Sequence, residues 1–254
     1  MTPPFLNVTV PVYNGEKILG ESIRTISAFL VSNCPFAHEI VIAENGSTDR
    51  TLEIARQLER DIPQVRVLHR EQKGRGGAIK AAWQQSEAQI LSYMDVDLSS
   101  DLTAFPTLID AVWHKGFHLA TGSRLLNKSS TTRGFKRELI SRCYNFLVKA
   151  SFRTAFSDAQ CGFKAITKVA GIELLPLVED NGWFMDTELL ILAERLGYRI
   201  FDLPVRWTDN ADSRVRLWST AAHDIRGLMR LRRNFSRQKY QLRPVGEITR
   251  LTSP

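Results

Sequence analysis

The stretch QILSYMDVDLSSDL gathers Asp95, Asp97 and Asp101 where an apolar run of Ile90, Leu91, Tyr93 and Met94 comes to an end. Carboxylates crowded at the exit of a buried strand repel one another and resist desolvation, so something must compensate them. Two acids separated by one residue can share a divalent cation, one binding directly and the other through water. An all-oxygen donor set favours Mg2+ or Mn2+ over zinc. Read alone, the acids serve equally well as turn formers that cap a helix beginning near Leu102, with Asp101 or Ser100 as the N-cap.

The elements that must position these acids alternate in kind. FLNVTVPVY reads as a buried strand ended by Pro11 and the Asn14-Gly15 turn, and Leu19, Ile23, Ile26 and Leu30 follow at helical spacing. EIVIA is a second strand, Leu52, Ala55 and Leu58 mark a helix, VRVLH is a third strand, GGAIKAAWQQS opens a helix, and ILSYM is a fourth strand. Strand and helix at this interval imply an α/β fold, with a mostly parallel sheet and helices on both faces. In such sheets ligands bind beyond the carboxyl ends of the strands. PVYNGE, ENGSTD and DVDLSSD each sit at such an end, so they are expected to converge on one crevice.

The second half is less regular. A helix from about Lys136 to Arg153 carries Leu139, Ile140, Cys143, Leu147 and Ala150 on one side; SDAQCGFKAIT reads as a loop running into a strand. DTELLILAERLG is a helix closed by Gly197, and YRIFDLPVRW is another strand. One domain over residues 1–217 is expected, with a nucleotide half to about 125 and an acceptor half beyond, followed by a basic helical tail over 218–254.

The chain has 254 residues, 43% hydrophobic and 24% charged, which is ordinary for a globular protein with a sizeable core. It shows no leader pattern and no apolar run near the roughly 18–20 residues that span a bilayer. Cys34, Cys143 and Cys161 are scattered and lack metal-ligand spacing, which points to a reduced, cytoplasmic chain without a zinc site. A formal charge of +7 says that anions matter. Nucleic acid is disfavoured as the partner, because the arginines crowd after residue 213 and no nucleic-acid motif or aromatic RNA-binding segment occurs.

The ordered set VTVPVYNGEKIL, EIVIAENGSTDRT, KGRGGAIKAAW, MDVDLSSD and ATGSRL resembles the inverting nucleotide-sugar glycosyltransferases with the GT-A fold. With DAQCGFKAI, WFMDTELLILAERLGYRI and PVRWTDNADSRVRL added, the chain is similar to the polyprenyl-phosphate (dolichyl-phosphate) sugar synthases over about residues 5–217. The resemblance implies a UDP- or GDP-hexose donor, glucose or mannose, a polyprenyl phosphate acceptor, and Mg2+ or Mn2+ on Asp95 and Asp97, with Val96 between them in the donor site.

It also implies roles for single residues. Pro11, Tyr13 and Asn14 would line the nucleoside pocket, and Glu44 stands where the family usually places an aspartate that contacts the base. Asn45 replaces a second aspartate, Gly15 stands where many relatives have glutamate, and Ser99 stands where some mannosyl synthases carry a third, glutamine ligand. KGRGGAIK lacks the phosphate-loop pattern. Its glycines, Gly74 among them, are expected to bring backbone close to the nucleotide while Lys73 adds charge; a plain glycine-rich helix start is the alternative. Arg124, Arg137 and Arg214 would handle phosphates, Arg137 the acceptor's and Arg214 with Ser213 the donor's, because the planar guanidinium grips phosphate with two bonds. Asp158, Gln160 and Lys164 resemble the acceptor-side motif, with Cys161 a packing residue inside it.

Asp186, in WFMDTELL, stands near the acid that deprotonates a hydroxyl acceptor in many inverting relatives. A lipid phosphate is already an anion and needs little such help, so Asp186 would then position sugar or loop. A soluble hydroxyl acceptor would instead make it a true base.

After Leu217, Trp218, Ala222, Ile225, Leu228, Met229 and Phe235 fall largely on one helical stripe beside Arg226, Arg230, Arg233 and Arg237. Such a helix lies on an anionic membrane surface or packs its stripe on the domain. The resemblance tilts toward the first, as a peripheral contact at the cytoplasmic face.

Overall fold

All seven residues of β1 (Leu6–Val12) are buried, so this strand has no solvent face and must run inside a sheet covered on both sides. The computed structural model describes residues 3–126, 129–132, 135–208 and 217–240, with backbone alone at 130–132, 135–137 and 217–221. It adds β2 (His38–Asn45), β3 (Val65–Arg70), β4 (Ile90–Met94), β5 (Leu119–Ser123), β6 (Ser130–Thr132), β7 (Phe163–Thr167), β8 (Ile200–Pro204) and β9 (Arg206–Thr208). Six of them join β1 in one seven-stranded sheet in the order β3-β2-β1-β4-β7-β5-β8, and β6 and β9 pair as a small parallel ribbon. Only β7 runs against its neighbours, antiparallel to both β4 and β5. The α/β class and mostly parallel sheet expected from the sequence are what the chain forms.

Two large hydrophobic clusters flank the sheet, with a small third one made by Val41, Ala43, Ala78 and Ala82. α1 (Leu19–Asn33), α2 (Thr51–Asp61) and α4 (Phe105–Trp113) bury Ile23, Leu58 and Leu108 on one face. α3 (Arg75–Gln85), α5 (Phe135–Phe152), α6 (Lys168–Leu174), α7 (Met185–Arg195) and α8 (Leu217–Ser236) bury Trp83, Val148, Leu174, Leu190 and Leu231 on the other. Residues of β4 divide between the clusters by the two-residue period, Ile90 and Met94 to the first, Leu91 and Tyr93 to the second.

The strand order reverses at β1. The chain moves outward from β1 to β2 and β3, then returns to lay β4 on the other side of β1. The loops leaving the adjacent parallel strands β2, β1 and β4 therefore meet at one carboxyl edge, where sheets of this kind bind their ligands. Pro11 is accommodated in a central strand because the β4 ladder on β1 ends at Thr9, two residues earlier.

Two helices present their stripes in unexpected ways. In α5 the one-sided stripe of Leu139, Ile140, Cys143, Leu147 and Ala150 faces outward, while Ser141, Asn145, Val148 and Phe152 are buried. In α8 the stripe is divided: Leu228 packs on the domain, joined by Leu231, whereas Ile225 and Met229 are exposed.

Candidate active site

The loops after β1 and β2 are stitched together. The Asn14 amide N–H donates to Ser47 Oγ at 2.9 Å, the Thr48 amide to Asn14 Oδ1 at 2.7 Å, and the Gly15 amide to Thr51 Oγ1 at 2.8 Å. Asn45 ties β1 to the start of α3, giving Nδ2–H to the Val12 carbonyl at 2.8 Å and accepting from the Gly74 amide at 3.2 Å. Lys73 Nζ lies 3.7 Å from the centroid of the Tyr13 ring, a cation–π contact beside these loops. Pro11, Tyr13, Asn14 and Lys73 are thus assembled at one place.

Glu44 is used differently from the expectation. It is fully buried, accepts the Ser47 amide N–H at 2.6 Å, and meets His69 Nδ1 with its other oxygen. Burial would raise its pKa, but the Ser47 hydrogen bonds and His69 outweigh that and hold it below the usual carboxylate range. Fully buried, with both oxygens bonded to protein, Glu44 is not exposed to meet a base.

The glycines of KGRGG also need correction. A Cβ at Gly74 would stand 2.7 Å from the Asn181 carbonyl oxygen, and one at Gly76 would stand 2.5 Å from Met185 Cβ. The Gly76 and Gly77 amides donate to the carbonyls of Gly182 and Asn181 at 3.2 and 2.9 Å. These glycines bring α3 against the segment that starts α7, so the helix's first amides are spent on protein instead of a nucleotide.

Asp95 follows β4 directly, and its amide donates to the Gly162 carbonyl at 3.1 Å. Gly162 makes room for the carboxylate: a Cβ there would lie 1.7 Å from Asp95 Oδ2. Leu98, with φ of 50°, turns the chain sharply, and Asp97 Oδ1 accepts the Ser99 amide at 3.1 Å. Val96 packs beside the core, and Ser99 is buried. Capping falls to Asp101 alone, which accepts the Thr103 amide at 2.9 Å at the 3₁₀ turn Leu102–Ala104. Asp95 and Asp97 are left at the crevice without a capping duty.

What compensates Asp95 is Arg75, a residue absent from the sequence expectations. Its Nη2 and Nε donate to Asp95 Oδ1 at 2.6 and 3.1 Å, and its Nη1 donates to Asp186 Oδ2 at 2.7 Å. Its guanidinium carbon also lies 5.0 and 4.9 Å from the ring centroids of Tyr93 and Trp183. A signal was present: Arg75 opens α3, where the helix dipole repels a cation, so a basic residue there needs carboxylates nearby. Even so, burial, reinforced by Asp97 and Asp186, keeps the Asp95 carboxyl above its ordinary pKa despite Arg75.

Asp186 is buried and densely satisfied. Besides Arg75, the Tyr93 hydroxyl donates to its Oδ1, and Lys164 Nζ lies 3.4 Å from the same oxygen. Burial would raise its pKa, yet Lys164 and Arg75 prevail and lower it. A carboxylate so held is a stable anion and a weak base.

Arg124, at the end of β5, is also occupied. Its Nε and Nη2 grip the Asp158 carboxylate at 2.6 and 2.9 Å, and its guanidinium lies 4.9 Å from the Trp207 ring centroid. Against burial, Arg124 brings the Asp158 carboxyl down to about 2. The fork expected to take phosphate therefore braces the loop before β7. Gln160 Nε2 reaches the α8 residue Asp224 at 2.7 Å, and Cys161 is buried with its thiol pushed up to about 12 by burial and Asp158. Ser213 and Arg214 lie outside the described residues, as does the Arg137 side chain.

Two adjacent carboxylates fit a hard dication that completes its shell with phosphate oxygens and water. Among the described residues no cluster of three or more His, Cys, Asp or Glu side chains is arranged for a metal, so the protein's share would be the pair Asp95 and Asp97.

A family model described as glycosyl transferase family 2 matches residues 7–174. Glycosyltransferase AglD of Haloferax volcanii is 36% identical over 228 residues, covering 88% of this chain and 35% of its own. Dolichyl-phosphate beta-glucosyltransferase of Saccharomyces cerevisiae is 30% identical over 233 residues, covering 84% of this chain and 70% of its own. The chain therefore spans about a third of AglD and more than two thirds of the yeast protein. Among solved structures, glucosyl-3-phosphoglycerate synthase from Mycobacterium tuberculosis, in complex with Mn2+, UDP-glucose and phosphoglyceric acid, superposes with a TM-score of 0.69. At 19% identity, over 90% of this chain and 80% of that one, the likeness is one of fold.

Proposed function

The chain belongs to glycosyl transferase family 2 and is a nucleotide-sugar-dependent glycosyltransferase, and from that premise we propose that it transfers glucose from UDP-glucose to a polyprenyl phosphate. The observation that carries the choice of acceptor is the state of Asp186. Its carboxylate is buried and taken up by Arg75, Tyr93 and Lys164, which leaves it poorly suited to remove a proton. A hydroxyl acceptor needs that removal, whereas a phosphate monoester arrives as a nucleophilic anion. The dolichyl-phosphate relatives support the lipid and the sugar, and the UDP-glucose complex of the structural neighbour supports the nucleotide.

In this reading Tyr13, Asn14 and Pro11 receive the nucleoside, and Lys73 adds charge near the diphosphate. A Mg2+ or Mn2+ held by Asp95 and Asp97 would supply neutralisation of the charge that builds on the leaving diphosphate. Arg75 holds Asp95 in place, and Asp186 fixes Arg75 from the far side. Arg137 receives the acceptor phosphate, and Arg214 with Ser213 takes the donor diphosphate. An acceptor oxygen attacks the anomeric carbon as the bond to UDP breaks, and an α-linked donor gives a β-linked polyprenyl-phosphate glucose. The outward residues of α8 meet an anionic membrane surface where that acceptor resides. No helix among the described residues is long and apolar enough to cross a membrane.

The test is incubation with radiolabelled UDP- and GDP-sugars, with and without polyprenyl phosphate, followed by extraction into organic solvent. Label should enter the organic phase only with UDP-glucose and the lipid. Transfer from another donor would correct the sugar or base, and label remaining aqueous with every donor would refute the lipid acceptor.

A further inference from the structure

Helix α5 is turned against its own amphipathicity. Leu139, Ile140, Phe146 and Leu147 fall on one side, with Cys143 among them, and that side faces outward; Leu139 is 52% and Phe146 is 74% exposed. The rotation is fixed from within. Asn145 Oδ1 accepts the Ala159 amide at 2.8 Å, its Nδ2 donates to the Ser141 carbonyl at 2.9 Å, and the Tyr144 hydroxyl lies 2.8 Å from Thr187 Oγ1. Thr187 follows Asp186, so the outward stripe lies on a helix that touches the candidate site.

Four large apolar side chains left in water forgo the stabilisation of burial, so a covering surface is favoured. The surroundings say which. Lys149 is exposed beside the stripe on α5, and Arg142 is exposed there in an ion pair with Glu138 at 2.6 Å. On α8, packed against α5 through Phe152 and Phe235 at 6.2 Å between ring centroids, Ile225 and Met229 are exposed beside Arg226 and Arg233. Apolar residues framed by cations match an acyl layer bounded by anionic headgroups. A second copy of the chain would set the same cations against one another.

We propose that the outward stripe of α5 lies against an anionic bilayer, so that the membrane surface directly borders the acceptor side of the crevice. This rests on the acceptor reading above, and its test separates the two. In a Cys34→Ser background, with Cys161 buried, the exposed Cys143 accepts an environment-sensitive fluorophore. Its emission should shift to the blue on mixing with vesicles of phosphatidylcholine and phosphatidylglycerol, and much less with phosphatidylcholine alone. The double variant Phe146→Asp/Leu147→Asp should bind the mixed vesicles at least about tenfold more weakly. It should still turn over a short, water-soluble isoprenyl phosphate as the parent does. Unchanged Cys143 emission while the protein sediments with vesicles would overturn the proposal. So would a lipid-free dimer that Phe146→Asp dissociates, which would assign the stripe to self-association. Failure of the parent to use any isoprenyl phosphate would refute the acceptor reading, while the Cys143 emission would still decide whether α5 meets the bilayer.

Discussion

Arg75 Nη1 on α3 and Asp186 Oδ2 on α7 are 2.7 Å apart across a gap of 111 residues in the chain. The same guanidinium holds Asp95, so one cation joins the start of α3 to the end of β4 and to α7. Arg75→Gln would leave both carboxylates facing each other without it. Removing one partner from a buried ion pair costs about 3–5 kcal/mol, and the partial exposure of Asp95 places this case near the lower end. Urea unfolding should show that loss, and Arg75→Gln with Asp186→Asn should recover part of it. A loss below about 1 kcal/mol would show that the bridge holds nothing together.

Asp186 alone gives a sharper kinetic test. A general base contributes roughly 10²–10⁴-fold to a rate. If Asp186 only positions Arg75 and Lys164, Asp186→Asn should lower kcat with the lipid phosphate by less than about a hundredfold and leave the acidic limb of the pH–rate profile in place. Disappearance of that limb with a larger loss would mark an acceptor that must be deprotonated.

The acid pair is expected to act through its dication. Asp95→Asn and Asp97→Asn should each abolish Mn2+-dependent binding of UDP by calorimetry and reduce turnover at least about a hundredfold, about 2.7 kcal/mol of barrier. A chelator should do the same to the parent, reversibly on adding Mn2+. Tight, metal-dependent UDP binding by the Asp95→Asn/Asp97→Asn double variant would refute the assignment.

Asp224 makes stability depend on pH. Burial, reinforced by Asp180 and Asp186 against the Gln160 hydrogen bond, pushes its carboxyl up to about 7 from an ordinary 3.8. Between those values the folded state binds the proton and the unfolded state does not. The associated stability is complete below the unfolded value and is lost as pH rises through about 7. Over that range the group subtracts on the order of 4 kcal/mol. Asp224→Asn keeps the shape without the charge, so its stability advantage over the parent should grow from acid to neutral pH in denaturant unfolding. Parallel curves would show that Asp224 titrates normally.

Local pattern made the first half of the fold legible. The two-residue and 3.6-residue periods located β1 to β4 and the intervening helices, and the polar clusters at the strand ends marked the crevice, because a parallel sheet sends its loops to one edge. What escaped were properties set by partners far along the chain. Arg75 carries its meaning only once α7 is beside α3. Gly74 and Gly76 reveal their purpose only against Asn181 and Met185, and Arg124 and Glu44 are free in the sequence but claimed by Asp158, Ser47 and His69 in space. The side of α5 that turns inward depended on Asn145 finding the Ala159 amide, a polar contact that hydrophobic periodicity does not register.

The reversed course of β7 has a consequence for how such a chain can diversify. Phe163 pairs with Met94, one residue before Asp95, so the loop over residues 158–162 feeds the ladder that aligns Asp95. A one-residue slip in that ladder would turn the side chains of β7 to the opposite face. Substitutions in the loop alter what it grips without touching that register. On the proposed reading, new acceptor preferences would arise by exchanges of side chains that leave this register intact.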